Sequence, residues 1–316
     1  MSKLMTMKMM AVTIGLLLWS GVSTASAPVP QARMTPVQAA EIKEIRISAI
    51  PDADAKAIEE KCNLLSEYLT KKVGLPVKFM AQQNYAACVT GLATDQLEVV
   101  WFGGVTAVQA DQKMDGKCAY LACRESDLKY KSYFIANKNA KIGQIKSLLE
   151  LSENEAASEW NFTFGSKSST SGHVMPRHFF QEQAGEKPED VFKKVAYSGN
   201  HDATLRNVAD GTADVGAINY KNWDNAKDDL AKAKEKCELI YTTPAYVDYV
   251  FMARNSIGED LIKKLKDALL ALDAKDETQN KILASWGAKD SKMVECKRED
   301  WSGIRKILDA GVDVGG

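Results

Sequence analysis

Residues 161–183 read NFTFGSKSSTSGHVMPRHFFQEQ. Asn161 to Phe164 has the composition of a short strand, Gly165 to His173 is a polar loop with three adjacent hydroxyls, and His173 to Gln183 continues at helical spacing. A strand that passes through a small polar loop straight into a helix is the repeating unit of an α/β sheet. The unit recurs downstream, with a strand at Lys194 to Tyr197, a helix from Asp202 to Asp210 and a strand at Asp214 to Ile218. Upstream, Glu44 to Ile50 alternates as a strand and stops at Pro51. Ala55 to Lys72 then places Ile58, Cys62, Leu65, Tyr68 and Leu69 on one helical face and closes at Gly74. Val77 to Met80, Leu97 to Phe102 and Cys118 to Cys123 are strand-like, with helices at Tyr85 to Ala93 and Val105 to Lys113 between them. Two runs of this pattern predict two α/β lobes, each a parallel sheet with helices on both faces.

Lys131 to Ala136 and Asp248 to Ala253 are extended, aromatic-rich joins, and the chain ends in helices at Glu259 to Leu272 and Trp301 to Leu308. This order fits a second lobe, residues 133–247, inserted into a discontinuous first lobe, residues 44–132 and 248–316, through two crossing strands. Ligand would bind in the cleft, outside the carboxyl ends of the strands. Two consecutive independent domains are the alternative.

The 316 residues, 45% apolar, are enough for two cores. With 41 Lys and Arg against 42 Asp and Glu there is no basic footprint for nucleic acid and no membrane-surface patch. Lys3 and Lys8 precede an apolar run, Ala11 to Trp19, followed by small residues. That is the pattern of a cleavable signal peptide over residues 1–27, cut after Ala25 or Ala27, with a leader over residues 28–43. Its removal deletes two lysines and no acid, leaving 39 bases against 42 acids and a charge of −3. In an exported protein the six cysteines are expected to pair as disulfides, in a pattern the sequence does not specify. No CxxC motif and no neighbouring His supports zinc, and no cofactor is implied.

Candidate chemistry is sparse. Ser169, Thr170, Ser171 and the Gly172 amide stand where a helix begins, and unpaired donors there suit an anion; an ordinary Ser/Thr cap is the plain alternative. The loop is neither a P-loop nor a Gly-x-Ser-x-Gly elbow. Residues 197–203 read YSGNHDA and put His201 at a second helix start, whereas His173 reads better as a capping side chain. Phe102, Gly103 and Gly104 end an apolar strand, where glycines let backbone approach a ligand. Tyr85 opens the preceding helix, and Asp248 lies on the second crossing strand.

The Phe102-Gly103-Gly104 turn, Ser169-Thr170-Ser171-Gly172-His173, and His201-Asp202-Ala203 followed by Gly211-x-x-Asp214-Val215 resemble the phosphonate, phosphite and phosphate type of substrate-binding protein of bacterial ABC transporters. The resemblance runs from about Glu44 to Ile307. It implies a type 2 periplasmic binding fold and no enzymatic activity. The ligand would be a tetrahedral oxyanion held between the lobes by Tyr85, Ser169, Thr170, Ser171 and His201. Asp248 matches an acidic position of the family, but Asn219 stands where a second carboxylate is expected, which argues against an aminophosphonate. The branch is also similar to selenate, arsenate and arsenite binders, some of which signal to sensor kinases. The implied setting is the periplasm, and the implied partner is an inner-membrane ABC permease or a sensor histidine kinase, served by a monomer.

A buried carboxylate repels a fully ionised selenate or sulfate and accepts a hydrogen bond from an anion that keeps a proton, such as phosphate, phosphite or arsenate. Arsenite would call for a free thiol, with Cys88, one turn after Tyr85, the candidate. A hydrolase using Ser171 and His201 is the reading from another class, and no third orienting group is identifiable for it.

Overall fold

The computed structural model describes residues 42–315. The signal-peptide segment and all but the last two residues of the leader lie outside them. The first sheet gathers β1 (Ile45–Ala49), β2 (Val77–Phe79), β3 (Val99–Phe102), β4 (Cys118–Arg124), β10 (Val250–Arg254) and β11 (Met293–Val294), in the order β11-β4-β10-β3-β1-β2. The second contains β5 (Ser132–Asn137), β6 (Asn161–Phe164), β7 (Lys194–Tyr197), β8 (Val215–Asn219) and β9 (Cys237–Thr242), in the order β7-β6-β8-β5-β9.

Both sheets are mixed, not parallel as the alternating pattern predicts. β1 is parallel to β2 and β3, and β6 to β7 and β8. β5, however, is antiparallel to β8 and β9, and β10 to β3 and β4. The reversed strands are the two that follow the crossings between sheets. Their direction is set by the side from which the chain arrives, which no local spacing encodes. Next to the crossings, Tyr130 and Tyr246 exchange backbone hydrogen bonds at 2.7 and 3.0 Å, tying the two together.

The helices form for local reasons. In α1 (Ala55–Val73) the Asp54 carboxylate accepts from the Lys56 amide at the start, and Ile58, Cys62, Leu65 and Leu69 make the buried face. Gly74 ends it at φ 80°, its N–H returning to the Thr70 carbonyl, a left-handed turn that glycine adopts without strain. α1 packs on β1, β2 and the helix Glu259–Leu270, and α2 (Tyr85–Ala93) and α3 (Gly104–Lys113) pack on β3 and each other. One apolar cluster runs through both lobes; a smaller one, around Ile135, Leu205, Ile218 and Trp223, lies under helix His201–Ala209.

The cysteines differ from expectation. All six are buried free thiols, and none forms a disulfide in the structure. Most fill core positions as small apolar groups: Cys88 Sγ donates to the Ala49 carbonyl at 3.5 Å, and Cys118 Sγ to Asp111 Oδ1 at 3.2 Å.

Candidate functional site

Two helix starts face each other across the cleft, built by the same local device. Asn84 caps α2 by accepting from the Ala87 amide at 2.8 Å, which puts Tyr85 in the first turn. Asn200 caps helix His201–Ala209 by accepting from the Ala203 amide at 2.8 Å, which puts His201 in the first turn. An Asx cap fixes where the chain enters each helix, and the two first turns place Tyr85 beside Ser169 and His201 beside Ser171.

The hydroxyl loop supplies the third wall. After β6 the backbone makes one wide turn, Thr170–Val174, before helix Met175–Ala184. Ser169 Oγ accepts from the Gly172 amide at 3.0 Å. The Gly172 N–H, expected as a donor to the anion, is therefore used to cap the turn. A Cβ on Gly172 would meet Ser169 Oγ at 2.9 Å and His201 Cε1 at 3.0 Å, so glycine is needed here for space. His173 shapes the loop from behind: its Nδ1 pairs with the Lys167 carbonyl at 2.7 Å, and its Nε2 accepts from Arg177 Nε at 2.9 Å. Burial lowers its pKa to about 4, so it is neutral in that role.

From the first lobe, Gly103 and Gly104 bring backbone against the loop. The Val105 amide donates to Thr170 Oγ1 at 2.9 Å, and the Gly104 amide to Asp248 Oδ1 at 2.9 Å. A Cβ on Gly103 would stand 3.2 Å from Thr170 Oγ1 and 3.3 Å from Asp248 Oδ1. Phe102 is wholly buried on β3 and offers only its position at the strand end. Tyr85, Gly103, Gly104, Ser169, Thr170, Ser171, Gly172, His201 and Asp248, widely separated in sequence, thus converge on one spot.

The electrostatics there are unusual. Asp248 is fully buried; Oδ1 is held by Gly104, while Oδ2 has no hydrogen-bond partner. Burial raises its pKa to about 7, against the Gly104 amide, which favours the charged form. The Tyr85 hydroxyl is also buried without a partner, and burial pushes it well above the ordinary tyrosine range. Orphaned buried polar atoms are costly, about 1–3 kcal/mol each, and two aimed at one place mark a ligand site.

His201 is fully buried and its pKa is lowered, because burial outweighs the nearby Asp52 and Asp202. The Asn219 amide donates to Nδ1 at 3.3 Å, which assigns the proton of the neutral ring to Nε2. Nε2 lies 3.5 Å from Ser171 Oγ. A hydrolytic base would need a free Nε2 lone pair and a carboxylate behind Nδ1. This ring has a backbone amide behind it and presents N–H, which suits binding an oxyanion.

Sequence reasoning missed two contributors. The Asp52 carbonyl accepts from the His201 amide at 3.2 Å, and Asp202 Oδ2 accepts from the Asp54 amide at 2.9 Å, so each lobe reads the other's backbone. Only the juxtaposition of the lobes gives these residues a role. Beside this spot lies a cavity of about 760 Å³ lined by Asp52, Lys61, Trp101, Arg124, Tyr249 and Trp286 among others. Arg124 is held there by Asp127 and by the faces of Trp101 and Tyr249. Among the described residues no His, Cys, Asp and Glu cluster suits a metal ion.

Two α/β lobes linked by crossing strands, with unpartnered polar groups converging between them, define a periplasmic substrate-binding protein. The chain belongs to the family described as "ABC transporter, phosphonate, periplasmic substrate-binding protein", whose model matches residues 47–301. Members of this family deliver small ligands to a membrane permease and are not enzymes. A curated relative, the "Probable ABC transporter phosphite binding protein PhnD1" of Prochlorococcus marinus, is 35% identical over 269 residues, covering 84% of this chain and 89% of the relative. The solved structure of that organism's PhnD1 in complex with methylphosphonate superposes with a TM-score of 0.79, covering 85% of this chain and 98% of the other. A phosphonate-transporter binding protein from Pseudomonas aeruginosa, 22% identical, shares the fold at a TM-score of 0.73, over 84% and 85% of the two chains.

Proposed function

We propose that this protein captures a phosphite- or phosphonate-class oxyanion that still carries a proton and hands it to its permease. The observation that carries the reading is Asp248 Oδ2, buried and unpartnered beside neutral donors. Tyr85, Ser169, Thr170, Ser171 and the His201 Nε2–H donate to the anion's oxygens, while Asp248 accepts the proton of the anion. No lysine or arginine is among these groups, so the donor set favours a singly charged ligand and disfavours the dianions sulfate and selenate. Cys88 is a poor arsenite ligand, since burial pushes its thiol up to about 12 and keeps it protonated. The domain division at residues 44–132 with 248–316, and 133–247, belongs to this reading, as do export by a cleaved signal peptide and action as a monomer. The permease is its reader, with a sensor kinase as the alternative.

Calorimetry on the mature protein with phosphite, methylphosphonate, phosphate, arsenate, arsenite, selenate and sulfate tests the reading. Phosphite or methylphosphonate should bind, and Ser171→Ala and His201→Ala should each weaken binding by about 10- to 100-fold, the loss of a hydrogen bond to a charged group. Unchanged affinity in both variants would move the ligand elsewhere, and binding of arsenite alone would move it to a cysteine.

A further inference from the structure

Of the six buried thiols, two stand apart from the rest. Cys123 and Cys296 are buried close together, each the other's neighbouring thiol. Cys123 lies on β4, opposite Val294 of β11, with Arg124 opposite Met293. Cys296 follows two residues after Val294, so the end of β11 carries it to the part of the first sheet where Cys123 sits. Cys123 is fully buried and Cys296 is 7% exposed, so neither thiol is placed for contact with solvent or a ligand.

We propose that Cys123 and Cys296 are joined by a disulfide in the exported protein, a covalent site that fastens the end of the chain to the first sheet. The periplasm is an oxidising compartment in which neighbouring thiols are oxidised as a chain folds. Each thiol loses its hydrogen and the two sulfurs bond. The two electrons and two protons pass to a disulfide-bearing thiol oxidase, whose own disulfide becomes a dithiol.

The need for such a fastening is visible in β11. It is an edge strand of two residues, too short to hold itself, and it pairs only with β4. The bond would close a ring containing every strand from β5 to β11, and a cross-link over a long ring removes many unfolded conformations. It would also steady β4 at Arg124, the next residue, which lines the cavity beside the candidate site. Cys118, by contrast, is bonded to Asp111, and Cys88 to a backbone carbonyl.

The inference rests on export and not on the identity of the ligand, so its test needs no ligand. The protein is taken from the periplasmic fraction, its mature N-terminus is read to establish export, and it is then alkylated under denaturing, non-reducing conditions and mapped by peptide mass. The expected result is alkylation at Cys62, Cys88, Cys118 and Cys237, together with a linked peptide pair containing Cys123 and Cys296, lighter than the two reduced peptides by two hydrogen atoms. Reductant should then lower the melting temperature of the wild type and leave that of a Cys123→Ala, Cys296→Ala double variant unchanged. Alkylation of all six cysteines in exported protein, or a link from Cys123 or Cys296 to any other cysteine, would overturn the proposal. Should the double variant not fold, the peptide map of the wild type decides alone.

Discussion

Asp248 combines two features that a carboxylate seldom has together: no exposure, and one oxygen without a partner. Its folded pKa of about 7 lies above the ordinary value near 3.9 for an unfolded chain. In the ligand-free protein its contribution to stability is therefore fully present below about pH 4 and is lost as pH rises through about 7. Binding acts on the same proton. A complex that shares one proton between Asp248 Oδ2 and the anion should weaken by up to about tenfold per pH unit once both free partners have lost theirs. Calorimetry with phosphite from pH 5 to 9 should show this slope, and Asp248→Asn should flatten it. The same variant should relax rejection of sulfate, because the repelling charge is gone while the amide still holds hydrogen bonds. A slope unchanged in Asp248→Asn would place the shared proton on another group.

Among the elements, the turn Thr170–Val174 is the most exacting, because it caps itself, presents hydroxyls and touches His201 within five residues. Gly172→Ala would force its Cβ against Ser169 Oγ at 2.9 Å and His201 Cε1 at 3.0 Å, with the Gly165 Cα behind at 3.3 Å. We expect a folded protein destabilised by about 1–3 kcal/mol, as for overpacking elsewhere. Ligand affinity should fall by more than tenfold, since both the cap and the imidazole must shift; melting temperature and calorimetry together check this. Much of this element was legible beforehand, because its hydroxyls, its glycine and its position after a strand are local features. His201 and Tyr85 were legible for the same reason, each standing at the start of a helix that follows a strand; the Asn that caps each helix went unread. What escaped notice depends on chain geometry at long range. The reversal of β5 and β10 follows from how the chain crosses between sheets. The commitment of the Gly172 amide follows from where Ser169 Oγ turns, and the role of the Asp52 carbonyl arises only where His201 of the other lobe meets it.

For the molecule as a whole, the structure is a closed form, and the bonds that close it come from both lobes. The Val105 amide reaches Thr170, the His201 amide reaches Asp52, Asp54 reaches Asp202, and Lys221 Nζ donates to the Gly287 carbonyl at 2.7 Å. The end of the chain adds a strap: Ser168 Oγ donates to the Val314 carbonyl at 2.6 Å and Lys167 pairs with Asp313 at 2.9 Å, beside the hydroxyl loop. Closing without ligand leaves Asp248 Oδ2 and the Tyr85 hydroxyl buried and unpaired, at a cost of about 1–3 kcal/mol each. Ligand supplies their partners, so it should shift the population toward closure by its differential affinity for that form. Small-angle scattering should accordingly report a smaller radius of gyration once phosphite is added. The strap works in the same balance. Its ion pair is exposed and contributes little, whereas the Ser168 bond is worth about 0.5–1.5 kcal/mol. Truncation after Gly311 should thus weaken phosphite binding by about two- to tenfold, through faster dissociation, while leaving the melting temperature of the ligand-free protein nearly unchanged. Stopped-flow release of phosphite from the truncated and full-length proteins measures this, and equal release rates would show that the strap follows closure without contributing to it.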